Sequence, residues 1–226
     1  MRSLRFALLA ASLVVTTAFA TPYDPRPGAE YSVMASPQPT QAAGKRVEVI
    51  EFFMYHCPYC HALEPVLAQW VKKQGDSIVF KRIHIPYQGP SDPEAHLFLT
   101  LQAMGKSEEY QGKVLDAVGD IVRRKRSETL TEQEVQGVAY QLPGIDKARF
   151  MDTWNSFGVK TMLARQPGIV GNNYKVDSTP TIVVDGKYAT SPGQVAGATR
   201  TRDQQKLFQE TLQVVDALIS KARASK

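Results

Sequence analysis

The sequence predicts an α/β fold in which a central mixed β-sheet with flanking helices is interrupted by an inserted all-helical subdomain. Three observations carry this. The run Val47-Glu48-Val49-Ile50-Glu51-Phe52-Phe53 is almost continuously apolar, β-branched or aromatic, as a strand buried on both faces requires. Around it the order reads β-α-β to about residue 86, and β-β-α from about residue 176. Between them, residues 87–175 show helical spacing throughout, which inside an α/β chain reads as an insertion.

The first twenty residues stand apart from this core. Arg2 and Arg5 precede an apolar stretch from Phe6 to Val15, and Ala18-Phe19-Ala20 has the small-x-small form of a cleavage site. This is the pattern of a secretory signal peptide, too short and wrongly flanked for a membrane span, so export is expected, with cleavage near Ala20. Residues 21–44 form a proline-containing arm with room for one short strand around Tyr31 to Met34. Gly44 and Lys45 mark the turn into the strand Val47–Phe53.

After Cys57, the residues Leu63, Val66, Leu67, Trp70 and Val71 recur at helical spacing, and Gly75 stops the helix. Pro65 inside it removes a backbone bond and predicts a kink. Ile78 to Ile85 alternates as a strand. In the insertion, Asp92-Pro93-Glu94 starts a helix running to Met104-Gly105, and a second runs from Glu108 to Val122. Thr131-Glu132-Gln133-Glu134 is a capping box for a third, ending at Tyr140. Asp146 caps a fourth, and a fifth runs from Phe157 towards Asn172 with a local kink at Pro167-Gly168. Then come the strand Thr181–Val184, the hairpin turn Asp185-Gly186, a partner strand from Lys187-Tyr188, and an amphipathic helix from Asp203 to Ala222.

The formal net charge of +5 becomes +3 once Arg2 and Arg5 are removed, too little to point to nucleic acid or an anionic membrane. The one dense basic run, Arg123-Arg124-Lys125-Arg126, reads as a solvated helix end whose dipole favours cations. The chain has two cysteines, Cys57 and Cys60, placed where the strand gives way to a helix N-terminus. There the free backbone N–H groups and the helix dipole favour a thiolate at Cys57, the species that attacks disulfides. A Cys57–Cys60 bridge closes almost no loop and is a poor staple, so a reversible redox disulfide is the better reading.

Glu51-Phe52-Phe53 ahead of Cys57-Pro58-Tyr59-Cys60, a helical insertion containing Trp154-Asn155-Ser156-Phe157, and Thr179-Pro180 before a β-hairpin and a final helix together resemble the DsbA family. These are periplasmic thiol:disulfide oxidoreductases of thioredoxin fold, and the resemblance extends from about residue 30 to the C-terminus. It implies a dithiol oxidase that introduces disulfides into newly exported proteins and works without a cofactor. Cys57 is then the exposed nucleophile and Cys60 the resolving thiol. Pro180 is a cis-proline against the active-site disulfide, and Thr179 pairs with an extended substrate beside Pro58 and Tyr59. Glu51 is a buried carboxylate near Cys60 that relays a proton; the plainer reading is a strand-end glutamate in solvent. A membrane quinone-linked partner of the DsbB type, and a monomeric chain, are expected on the same grounds.

One departure bears on the direction of the reaction. The best-known family members carry Pro-His between the cysteines, where this chain has Pro58-Tyr59. Tyr59 brings no positive charge, which pushes the pair towards a reductase. His56 and His61 flank the cysteines; each reads first as a surface histidine and second as partial compensation. From another class, Cys57-x-x-Cys60-His61 also matches a c-type haem attachment motif, with His61 as axial ligand and Met151 or Met162 opposite. The strand before the motif and the β-β-α after it have no role in a small cytochrome. A disulfide isomerase would need a dimerisation domain that the short stretch between the cleavage site and Val47 does not supply. A zinc half-site would need a second ligand pair, and His84 and His96 are not arranged as one.

Overall fold

The computed structural model describes residues 23–226; the leader read over residues 1–20 lies outside them. The strands are β1 (Ser32–Val33), β2 (Val47–Phe53), β3 (Ile78–His84), β4 (Thr181–Val184) and β5 (Tyr188–Thr190), in the sheet order β1-β5-β4-β2-β3. The helices are α1 (Pro58–Gln74), α2 (Pro93–Ala103), α3 (Ser107–Lys125), α4 (Glu132–Gln141), α5 (Lys147–Trp154), α6 (Phe157–Pro167), α7 (Pro192–Thr199) and α8 (Gln204–Ala224). β2 runs parallel to β3 and antiparallel to β4, so the sheet is mixed, and α2–α6 form the helical insertion.

Every residue of β2 is buried, as its apolar run requires. Val47 and Val49 face Leu63, Leu67 and Trp70 of α1 and Phe208, Leu212 and Val215 of α8. On the opposite face Ile50, Phe52 and Val183 meet Val170, Val176 and Tyr174. At the C-terminal end of β2, Phe53 and Tyr55 enter a second core built from the insertion, including Phe98, Leu115, Phe150 and Trp154. Both cysteines belong to this core.

Pro65 lies inside α1, which continues to Gln74 with its apolar side held by Leu63, Leu67 and Trp70. Two later elements differ from their sequence reading. After α6 the chain does not simply kink at Pro167-Gly168; Gly168–Tyr174 widens into a π-helical turn, closed by Lys175 in the left-handed region at φ 54°. The C-terminal part is β-β-α-α, because α7 intervenes, capped by Ser191 with Pro192 at its first position. The basic run ends α3, as read from the sequence, with Arg126 as a left-handed cap at φ 54°.

Candidate active site

β2 delivers Phe53 into a short turn, Met54-Tyr55-His56, and Cys57 then caps α1. Its sulfur accepts a hydrogen bond from the Cys60 N–H at 3.3 Å, the position that an N-cap oxygen ordinarily occupies. Pro58 at the first helical position gives up an N–H that the helix start leaves unpaired. Cys57 also donates to the Thr179 carbonyl oxygen at 3.6 Å, which brings the segment before β4 against the nucleophile. The Thr179–Pro180 peptide bond is cis. Both cysteines are free thiols.

The two sulfurs are electrostatically unequal. Cys57 is 7% exposed and Cys60 1%. A hydrogen bond from the Cys60 thiol is the largest influence on Cys57; burial opposes it, and contacts from Thr179 and the N–H groups of Cys60 and Tyr59 add to it, lowering Cys57 to about 6. Cys60 is pushed well above its ordinary value by burial, by its hydrogen bond to Cys57 and by the charges of Cys57 and Glu51. One thiol is thus poised to ionise near neutral pH while the other keeps its proton.

Glu51 is 1% exposed, which rules out the strand-end glutamate in solvent. In the parallel register of β2 and β3 it sits opposite Arg82, whose Nε donates to Glu51 Oε2 at 2.7 Å. The same guanidinium donates to Glu64 of α1 at 2.8 Å and to Glu108 of α3. One cation therefore meets three carboxylates. Burial raises Glu51 despite Arg82. Glu64 is raised to about 7 by burial, again against the pull of Arg82 and assisted by Glu51. Arg82 stays charged, because the three carboxylates outweigh the cost of burying it.

Sequence reasoning missed Arg82, Glu64 and Glu108. Arg82 and His84 share the face of β3 that carries Ile78 and Phe80, so alternation turns them inward, but a charged and an ionisable residue at those positions gave no local sign of their partners. The carboxyl cluster is assembled by strand register and helix packing across the chain, and only Glu51 stood out locally. His56 corrects its first reading too: it is buried, and its Nδ1 lies 2.8 Å from Glu94 Oε1 of α2. His61 is half-buried and bonds to Asp116 of α3 at 2.6 Å, away from the role of an axial haem ligand.

Tyr59, 51% exposed, stands over a cleft of about 280 Å³ that Thr179, Pro180, Pro192 and Leu207 also line. Thr179 and Pro180 are thereby brought together with Tyr59 on one wall-and-floor surface; Pro58 belongs to the same helix start. Among the described residues there is no cluster of His, Cys, Asp and Glu suited to a metal ion, and no helix is long and apolar enough to cross a membrane.

Comparison with known proteins agrees with this geometry. A thioredoxin family model matches residues 42–204. A protein of Burkholderia cepacia named thiol:disulfide interchange protein DsbA is 40% identical over 185 residues, 82% of this chain and 84% of that one. The protein of the same name from Pseudomonas aeruginosa is 32% identical over 98% of this chain and 99% of its own. The crystal structure of Pseudomonas aeruginosa DsbA superposes with a TM-score of 0.72 at 31% identity, covering 88% of this chain and 94% of that one.

Proposed function

Since the chain belongs to the DsbA family of thiol:disulfide interchange proteins and has its thioredoxin fold, we propose that it acts as a dithiol oxidase on proteins exported to the periplasm. The observation that carries the direction is the inequality of the thiols: Cys57 is lowered to about 6 and Cys60 is raised. Stabilising the Cys57 thiolate stabilises the reduced enzyme, and that makes its disulfide oxidising.

A substrate thiolate attacks Cys57 Sγ in the oxidised enzyme; the new S–S bond forms as the Cys57–Cys60 bond breaks. Cys60 leaves as a thiolate and takes up a proton, which the raised carboxyl of Glu51 is suited to give. A second substrate thiolate then attacks the substrate sulfur of the mixed disulfide and expels the Cys57 thiolate. Two electrons pass from the substrate dithiol to the enzyme pair, and the substrate leaves oxidised. Pro58, Tyr59, Thr179 and Pro180 contact the substrate segment around its cysteine, with the cleft beside Tyr59 taking an apolar neighbour. A DsbB-type membrane quinone reductase returns the pair to the disulfide, and the protein works as a monomer with no nucleic-acid partner. In this reading residues 45–86 and 176–226 carry the cysteine chemistry and residues 87–175 are the helical insertion.

A reductase is the second reading, favoured by the neutral Tyr59. Equilibrating Cys57–Cys60 in a series of glutathione buffers separates the two. A pair that stays reduced in fairly oxidising buffer supports the oxidase; a disulfide that persists in strongly reducing buffer moves the role to reduction. Cys57→Ser is expected to abolish exchange, and Cys60→Ser to accumulate mixed disulfides through Cys57; absence of any adduct would overturn the assignment.

A further inference from the structure

Two consecutive backbone N–H groups of the turn that delivers Cys57 are held by side chains from elsewhere in the chain. The Tyr55 N–H donates to His84 Nε2 at 3.1 Å, and the His56 N–H donates to Glu94 Oε2 at 3.0 Å. The His56 ring completes a fork, its Nδ1 lying 2.8 Å from the other Glu94 oxygen. Glu94 is 1% exposed and belongs to the first turn of α2, so the helical insertion reaches into the back of the active-site turn.

His84 Nε2 accepts from the Tyr55 N–H, which engages the lone pair of that nitrogen. At 3.4 Å from Glu94 Oε2, Nε2 has no hydrogen to donate. Of the two imidazoles, His56 makes the closer contact with the Glu94 carboxylate. Burial opposes charge on His56, yet the hydrogen bond to Glu94 and the charges of Glu94, Glu128 and Asp92 raise it above its ordinary value. Burial opposes charge on Glu94 as well, and the hydrogen bond to His56 comes first among the contacts that nevertheless bring it down. Other neighbours are the Tyr87 ring, edge-on to His56 with centroids 5.1 Å apart, and His84 of β3, 3.4 Å from Glu94.

We propose that Glu94 is a positioning residue for the active-site turn and that His56 is its counter-ion, so that a carboxylate from the helical insertion holds the turn behind Cys57 without disfavouring the thiolate. The pair matters in this chain because Tyr59 supplies no cation between the cysteines to offset a bare carboxylate. The inference rests on Cys57 being the nucleophile.

The charge logic gives a pattern that a packing role does not. His56→Gln leaves Glu94 ionised and unbalanced behind Cys57, so the thiolate is disfavoured and the glutathione equilibrium moves towards the disulfide by about fivefold or more. Glu94→Gln removes both charges together, because His56 then loses its reason to be protonated; the equilibrium stays within about twofold while the exchange rate falls as the turn loosens. The double variant returns the equilibrium to that of Glu94→Gln. The equilibrium with glutathione, read beside the ultraviolet titration of the Cys57 thiolate, tests this, with His56→Asn as second variant if the glutamine variant does not fold. An unchanged equilibrium in folded His56→Gln, or a double variant no better than the worse single, overturns it. Failure of the wild-type pair to exchange with glutathione at all overturns the functional reading, and this inference with it.

Discussion

At the scale of single residues, Arg82 does more than neutralise a neighbour. Its buried guanidinium joins buried Glu51 of β2, Glu64 of α1 and the solvent-facing Glu108 of α3 in one polar knot. Removing one partner of a buried ion pair leaves charge without compensation, so Arg82→Met is expected to cost about 3–5 kcal/mol in urea unfolding at pH 8. The loss should be smaller at pH 5.5, where Glu64, raised to about 7, carries a proton. Glu51 tests a different property. If its proton goes to Cys60, Glu51→Gln should slow single-turnover oxidation of a dithiol peptide by about tenfold or more at neutral pH. An unchanged rate and pH profile would remove Glu51 from the chemistry and leave it a structural partner of Arg82.

At the scale of elements, the β4–β5 hairpin shows how a turn can fix a distant segment. Asp185 and Gly186 have φ of 52° and 62°, and a Cβ on Gly186 would collide with the Gln38 carbonyl of the N-terminal arm. Gln38 in turn donates its N–H to the Gly186 carbonyl at 2.8 Å. Gly186→Ala is therefore expected to lower stability by more than about 1 kcal/mol and to open the arm before Gly44 to limited proteolysis. The hairpin itself was legible, because Asp-Gly between two β-branched runs is a local signal. So was the strand leading into Cys-x-x-Cys, because a seven-residue apolar run admits few alternatives. α7 was not, since Gly193 and Gly197 weaken the helical pattern within eight residues, and only the Ser191-Pro192 start argued for it. His56 was misread for the opposite reason. Its neighbours in sequence are those of an exposed turn, and what buries it is α2, contributed from nearly forty residues away.

At the scale of the whole molecule, the titrating groups pull stability in opposing directions, and the signs define a window. His56 and Glu64 are raised, so their contributions are fully present below their unfolded values of 6.5 and 4.5 and are lost as pH rises through the folded ones. Glu94, lowered to about 2, contributes fully above 4.5 and loses that contribution as pH falls towards 2. Thermal unfolding of the oxidised protein should accordingly be most favourable to the native state near pH 4.5, declining below it as Glu94 is protonated and above it first through Glu64 and then through His56. Reduction adds a term of opposite slope: Cys57, lowered to about 6 from 9.0, stabilises the reduced form increasingly as pH rises between those values. The gap in melting temperature between reduced and oxidised protein should widen over that range, and a gap independent of pH would contradict a lowered Cys57. The helical insertion supplies Glu94, Glu108 and Asp116, three of the carboxylates that reach the turn, the arginine and the first turn of α1. Transplanting Cys57-Pro58-Tyr59-Cys60 into an uninterrupted scaffold would thus carry the hydrogen bonds within the motif but leave the carboxylates of the insertion behind, and a chimera should keep only part of the donor's redox poise.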